Sequence, residues 1–281
     1  LAQSRAIAAR LAGLGHRVEL LEIVTTGDRW SATPGQPPPD RGMFVKELEL
    51  ALLDGRADLA VHSAKDLPVA LPDGLGVVAV PAREDARDVL VGVAGGLDAL
   101  SPGARIGTSS PRRRAQLRLM RPDLEIVELR GNVDTRLARR DAGDVDALVL
   151  AAAGLIRLGI RRPDILVLAP PVCVPAPGQG LLAIEGRADD AAVRAAVAGL
   201  DDHDAHASLI AERTVLSGMG GGCMTPLGAL CVPSELGLWV AAFAADDADG
   251  TGGRHVTVTR RDRDPVAIGH AAVAALHEAA A

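Results

Sequence analysis

The strongest constraint on this chain is a repeated order: a short apolar run, a turn rich in glycine, serine or arginine, then a helical stretch. Asp58 to His62, Asp88 to Val91, Ala104 to Gly107, Leu124 to Leu129, Ala147 to Leu150 and Ile165 to Leu168 read as strands, and helices follow Ser110, Asn132 and Ala151. That order predicts α/β units, with mainly parallel sheets covered by helices. Before them come a helical pattern with Ile7, Leu11 and Leu14 on one face, a strand over Arg17 to Thr25 and a helix over Met43 to Leu53. Trp30 to Gly42, rich in proline and glycine, reads as a long lid-like loop. From Leu227 the pattern changes to extended segments, Leu236 to Phe243 and His255 to Thr259, and ends in an alanine-rich helix after Pro265. This is a smaller α+β unit.

At 281 residues the chain is long enough for two or three cores. The net charge of -6 argues against a general nucleic-acid binder. With no apolar stretch of spanning length and no signal-peptide pattern at its start, the expected setting is cytoplasmic, without a membrane partner. Cys173, Cys223 and Cys231 are too few and too irregular for a disulfide framework or a zinc cluster, so no metal is expected.

Positive charge is concentrated where strands end. Arg112 and Arg113 follow Gly107-Thr108-Ser109-Ser110, Arg130 and Arg136 bracket Gly131-Asn132, and Arg157 lies in Gly154 to Gly159. Guanidinium groups beyond the carboxyl ends of strands suit a polyanion, because each donates two parallel hydrogen bonds to a carboxylate or phosphate. Arg114, Arg118, Arg139 and Arg140 read as solvated helix faces. Lys65 and Asp66 also stand at a strand end, where a carboxylate serves as acid or base or stabilises a developing cation; the plainer reading is a surface ion pair. Asp28 lies in a similar but commonplace Gly-Asp turn. Cys223, in Gly220-Gly221-Gly222-Cys223, is an attachment point, a nucleophile or simply part of a glycine turn. Asp201-Asp202-His203-Asp204-Ala205-His206 resembles a metal cluster but reads better as a helix cap.

Taken in order, Phe44-Val45-Lys46-Glu47-Leu48-Glu49, Ala60-Val61-His62-Ser63-Ala64-Lys65-Asp66-Leu67-Pro68, Gly107-Thr108-Ser109-Ser110, Leu129-Arg130-Gly131-Asn132-Val133, Pro177-Gly178-Gln179-Gly180 and Gly221-Gly222-Cys223 closely resemble the porphobilinogen deaminase family. The match runs over essentially the whole chain. It implies two α/β domains resembling type II periplasmic binding proteins, with a cleft between them, and a small α+β C-terminal domain. The implied boundaries are 1–82 with 181–199, 85–175 and 203–281. Such enzymes join four porphobilinogen molecules head to tail into hydroxymethylbilane, releasing ammonia, on a dipyrromethane cofactor held by a cysteine thioether.

The resemblance makes Cys223 the attachment site and Asp66 the catalytic carboxylate. Lys65, Asp28, Thr108, Ser109, Ser110, Arg112 and Arg113 become cofactor contacts, and Arg130, Arg136, Arg157, Arg41 and Gln179 become contacts to substrate carboxylates. A monomer is expected. Family members begin with a strand and an Arg-x-Ser segment that would precede Leu1, and Pro39-Asp40-Arg41-Gly42 replaces the usual Gly-Gly-Lys-Gly. The polypeptide as it stands is therefore expected to be weakly active or unstable. The rival classes are a small-anion binding module without catalysis and, less well supported, a cysteine hydrolase.

Overall fold

The computed structural model describes residues 2–25, 45–93, 95–221, 225–246 and 252–280. In chain order its helices are α1 (Ala2–Gly13), α2 (Lys46–Leu53), α3 (Pro111–Met120), α4 (Val133–Asp141), α5 (Ala152–Arg157), α6 (Ala191–Val197), α7 (His203–Gly218) and α8 (Pro265–Glu278). Its strands are β1 (Leu59–Ser63), β2 (Leu75–Ala79), β3 (Asp88–Val91), β4 (Arg105–Gly107), β5 (Glu125–Val127), β6 (Ala147–Ala151), β7 (Ile165–Leu168), β8 (Leu182–Arg187), β9 (Leu227–Ser234), β10 (Gly237–Ala245) and β11 (Gly253–Arg260). They form three sheets, ordered β1-β8-β2, β5-β4-β6-β3-β7 and β11-β10-β9.

The second sheet follows the expected alternation most closely. Successive side chains on a strand point to opposite faces. Leu90, Ile106 and Val149 accordingly meet Leu117 of α3 on one face, while Val89, Val91, Leu148 and Leu150 meet Leu137 of α4 and Leu155 of α5 on the other. Both faces are covered, which is why these strands read as unbroken apolar runs. Helix α3 starts where Ser110 accepts the Arg113 backbone N–H and Pro111 supplies a first-turn residue that needs no donor.

The expected mainly parallel sheets occur only in part. Strand β4 is parallel to β5 and β6, but β3 is antiparallel to β6 and β7, and β8 is antiparallel to β1 and β2. The cause is the path of the chain. It leaves the first sheet through residues 80–87 to form β3, and returns from the second through 169–181 to form β8. These two segments are the hinge. In the first sheet, Ile7 and Leu11 of α1 cover one face against Ile184, and α2 and the start of α7 cover the other.

Residues 17–25 differ from the expected strand: the described backbone has no ladder there, and Leu20, Leu21 and Val24 are exposed. Among the described residues β1 pairs only with β8, so no neighbouring strand completes a ladder for this segment. The loop over Trp30 to Gly42 lies outside the described residues.

The third sheet buries one face under α7 and α8 and packs Phe243 and Ala241 of the other against Ala115 of α3. Several outward polar groups of its edge strand β9 are satisfied. The Ala229 N–H donates to Pro175 O at 2.9 Å, the Cys231 N–H to Glu212 Oε1 at 2.7 Å, and Cys231 O accepts from Arg83 at 3.1 Å. Pro233, further along, has no N–H to satisfy. Asp202 caps α7 by accepting from Ala205 N–H at 2.8 Å, which gives the acidic run at 201–204 its structural role.

Candidate active site

Lys65 and Asp66 share a single 3-10 turn, Ala64–Asp66, where β1 ends. Asp66 is exposed and Lys65 half-buried. The turn is held from beneath: Ala64 N–H donates to Leu181 O at 3.1 Å, and Gly178 lies so close that a Cβ there would meet Ala64 C and Lys65 N at 2.8 Å. Burial pushes the Lys65 ammonium below its ordinary value, Asp66 opposes that shift, and the charges of Arg113, Asp88 and Arg112 all reach it. Gly178, packed on this turn, is followed by Gln179, which donates to Asp88 of the second sheet, so the turn is tied to a charged cluster there.

That cluster centres on Asp88, fully buried at the start of β3. Arg112 Nη1 and Arg113 Nη2 each reach its carboxylate at 2.7 Å, and Gln179 Nε2 donates to it at 2.9 Å. Burial alone would raise the Asp88 pKa, but the two guanidinium groups hold it well below the usual carboxylate range. Arg113 also donates to Val149 O and Arg112 to Val174 O. Gln179 is buried and donates to Ala86 O, while its own carbonyl accepts from Arg83. Arg112, Arg113 and Gln179 thus lie together, with many of their donors committed to protein groups.

The other expected ligands surround this centre. Thr108 is buried, its Oγ1 accepting from Ser110 N–H at 3.2 Å, and Ser109 is half-buried beside it. Arg136, in the first turn of α4, donates to Gly131 O at 2.6 Å. Burial, with Arg113 adding to it, lowers the Arg136 pKa to about 10. Arg157 reaches the 169–181 segment to donate to Gly180 O at 2.7 Å; burial lowers its pKa, with Glu84 opposing. Arg130 is exposed and paired with Glu128. Asp28, Arg41 and Cys223 lie outside the described residues. Cys173 and Cys231 are buried, and burial pushes both thiols up to about 12, so both are unreactive.

Sequence reasoning missed Asp88, Arg83 and Glu212. Glu212 is fully buried on α7 and accepts from Arg83 at 2.6 Å, Gly178 N–H at 2.6 Å and Cys231 N–H at 2.7 Å. A carboxylate heading an apolar strand, or one helix position among apolar ones, was the available signal, since such a charge needs a partner.

The comparisons bear on this geometry directly. The family model described as "Porphobilinogen deaminase, dipyromethane cofactor binding domain" matches residues 1–195. The chain belongs to the porphobilinogen deaminase family. It is 51% identical over 217 residues to the porphobilinogen deaminase of Roseiflexus sp. (strain RS-1), covering 77% of this chain and 72% of that one. It is 47% identical over 255 residues to the porphobilinogen deaminase of Acidothermus cellulolyticus, covering 89% of this chain and 77% of the relative. Among solved structures, a periplasmic substrate-binding protein of an ABC transporter from Coxiella burnetii shares 19% identity over 71% of this chain and 84% of its own, with a TM-score of 0.42.

As a porphobilinogen deaminase family member the chain is a transferase of tetrapyrrole biosynthesis with a dipyrromethane cofactor. The residues present fit that group. Ser109 and Ser110 at the end of β4 and Arg136 in the first turn of α4, all half-buried, supply hydroxyl and guanidinium donors suited to carboxylates, and a dipyrromethane carries several. Among the described residues no helix is long and apolar enough to cross a membrane.

Proposed function

We propose that the chain joins porphobilinogen units head to tail at Asp66, releasing ammonia, and then frees hydroxymethylbilane from a dipyrromethane primer attached to Cys223. The observation that carries this is the joining of one exposed carboxylate's turn to an arginine cluster. Asp66 leaves the end of β1 beside Lys65, Gly178 packs on that turn, and the next residue, Gln179, donates to Asp88, which Arg112 and Arg113 both reach at 2.7 Å. The dipyrromethane, when bound, supplies the free pyrrole end that each new unit extends. Asp66 stabilises positive charge at the pyrrole nitrogen and moves protons as each bond forms. Arg136, Arg157 and Arg130, with Arg41, receive the acetate and propionate groups that accumulate as the chain lengthens.

Thr108, Ser109, Ser110, Lys65 and Asp28 take the cofactor side, together with Arg112 and Arg113. Gln179 lies in the same cluster, and its bonds to Ala86 and Asp88 support a role in holding that cluster in place. The three sheets correspond to three domains, 1–82 with 181–199, 85–175 and 203–281. The reading includes a monomer working in the cytoplasm without nucleic acid, and the net charge of -6 supports that last point.

Intact mass and turnover test the proposal together. Protein from a host supplied with porphobilinogen is expected to carry an excess of two linked pyrrole units that Cys223→Ser removes. Asp66→Asn is expected to keep that excess and lose at least about a hundredfold in turnover. An unmodified mass in the parent chain, or full turnover in Asp66→Asn, overturns the assignment.

A further inference from the structure

Helix α7 touches more than the hinge. Ala205 and Leu209, four residues apart on one face of α7, are buried in the same apolar cluster as Leu67, the residue that follows Asp66. Arg213 stands one turn further along that face. Its Nη2 donates at 2.7 Å to Pro68 O and at 2.7 Å to Val69 O. These carbonyls lie two and three residues beyond Asp66, in the segment that carries the chain from the catalytic turn to β2. Within that segment Leu67 N–H reaches Ala64 O only at 3.3 Å, so the turn is closed by a long bond of its own.

Two further features make the contact more than surface decoration. Arg213 is half-buried, its guanidinium pushed down by burial and supported by the Glu185 charge, so its bonds form in a partly desolvated setting. Glu212, its neighbour, fixes the same part of α7 to Arg83, Gly178 and Cys231. Beyond Arg213 the helix ends at Gly218, and Gly221 N–H turns back to Leu216 O at 3.0 Å just before the Cys223 loop.

We propose that Arg213 is a positioning residue for the reaction: by holding the Pro68 and Val69 carbonyls it fixes the Lys65–Asp66 turn to α7. This rests on the reading of Asp66 as the catalytic carboxylate. The helix that is bonded to Arg83, Gly178 and Cys231 through Glu212 then also sets the placement of the catalytic turn. Reaction rates depend steeply on such placement, since a displacement of about 1 Å costs about a hundredfold.

The test uses the full chain carrying its cofactor, with Arg213→Ala, Arg213→Lys and Asp66→Asn compared by intact mass, thermal midpoint, kcat and KM. Arg213→Ala is expected to keep the two-pyrrole mass, lower kcat by about tenfold or more and leave KM within about twofold, the pattern of a lost transition-state geometry. Arg213→Lys keeps a charged donor on a long stem and is expected to recover part of kcat. Unchanged kcat in Arg213→Ala overturns the proposal. So does a fall in kcat that Arg213→Lys fails to relieve, or one explained by the unfolded fraction. Full turnover in Asp66→Asn instead overturns the reading of Asp66, whatever Arg213 does. If Arg213→Ala does not fold, Arg213→Met keeps the apolar stem without the donors: a kcat equal to that of the parent in folded Arg213→Met overturns the proposal, and a selective loss of kcat that Arg213→Lys partly relieves supports it.

Discussion

At the scale of the residue, Asp88 carries the largest electrostatic burden. It is fully buried, and Arg112 and Arg113 both depend on it for neutralisation. Removing one partner of a buried ion pair leaves an uncompensated charge, so Asp88→Ala is expected to lose about 3–5 kcal/mol in denaturant unfolding. The pH dependence has a definite sign. A carboxylate whose folded pKa is depressed contributes stability that is present above its unfolded pKa of about 3.9 and is lost as pH falls below it. The parent chain should therefore lose stability in acid more steeply than Asp88→Ala; parallel acid profiles for the two would contradict the coupling. The arginines of this centre were legible from their places at strand ends. Asp88 was not, because a sequence shows a charge at the head of an apolar strand without showing what reaches it.

At the scale of the element, most of the alternation was readable because strands of the second sheet are covered on both faces, and continuous apolar runs follow from that. Residues 17–25 show the limit. Their apolar pattern suits a strand, yet a strand exists only where a neighbouring strand pairs with it, and no described strand pairs with this segment. The hinge is another element that pattern alone could not place against the catalytic turn. Gly178 has φ of 78°, and a Cβ there would press on the backbone of Ala64 and Lys65. Gly178→Ala is expected to cost about 1–3 kcal/mol and to lower turnover, because the relief of the clash must move the turn bearing Asp66. Wild-type turnover with an unchanged melting temperature would show that the turn accommodates a methyl group.

At the scale of the whole molecule, Glu212 joins three parts of the chain. It receives Arg83 from one hinge segment, Gly178 from the other and Cys231 from β9. Glu212→Ala is expected to destabilise the protein by about 3–5 kcal/mol and to split a single calorimetric transition into two, as the third sheet with its helices melts apart from the rest. A single transition shifted by less than about 1 kcal/mol would place the cohesion elsewhere, for instance in the apolar contact of Phe243 and Ala241 with α3. The groups that occupy the outer side of β9 come from Pro175, Arg83 and Glu212, each from a different part of the molecule. Two of the three are conditional on assembly, since Glu212 belongs to a helix packed on the third sheet itself. When the third sheet parts from the hinge, the Ala229 N–H and the Cys231 carbonyl lose Pro175 and Arg83 and can pair with another copy of the chain, so the tendency to aggregate is tied to the loosening of the hinge and precedes loss of the individual sheets.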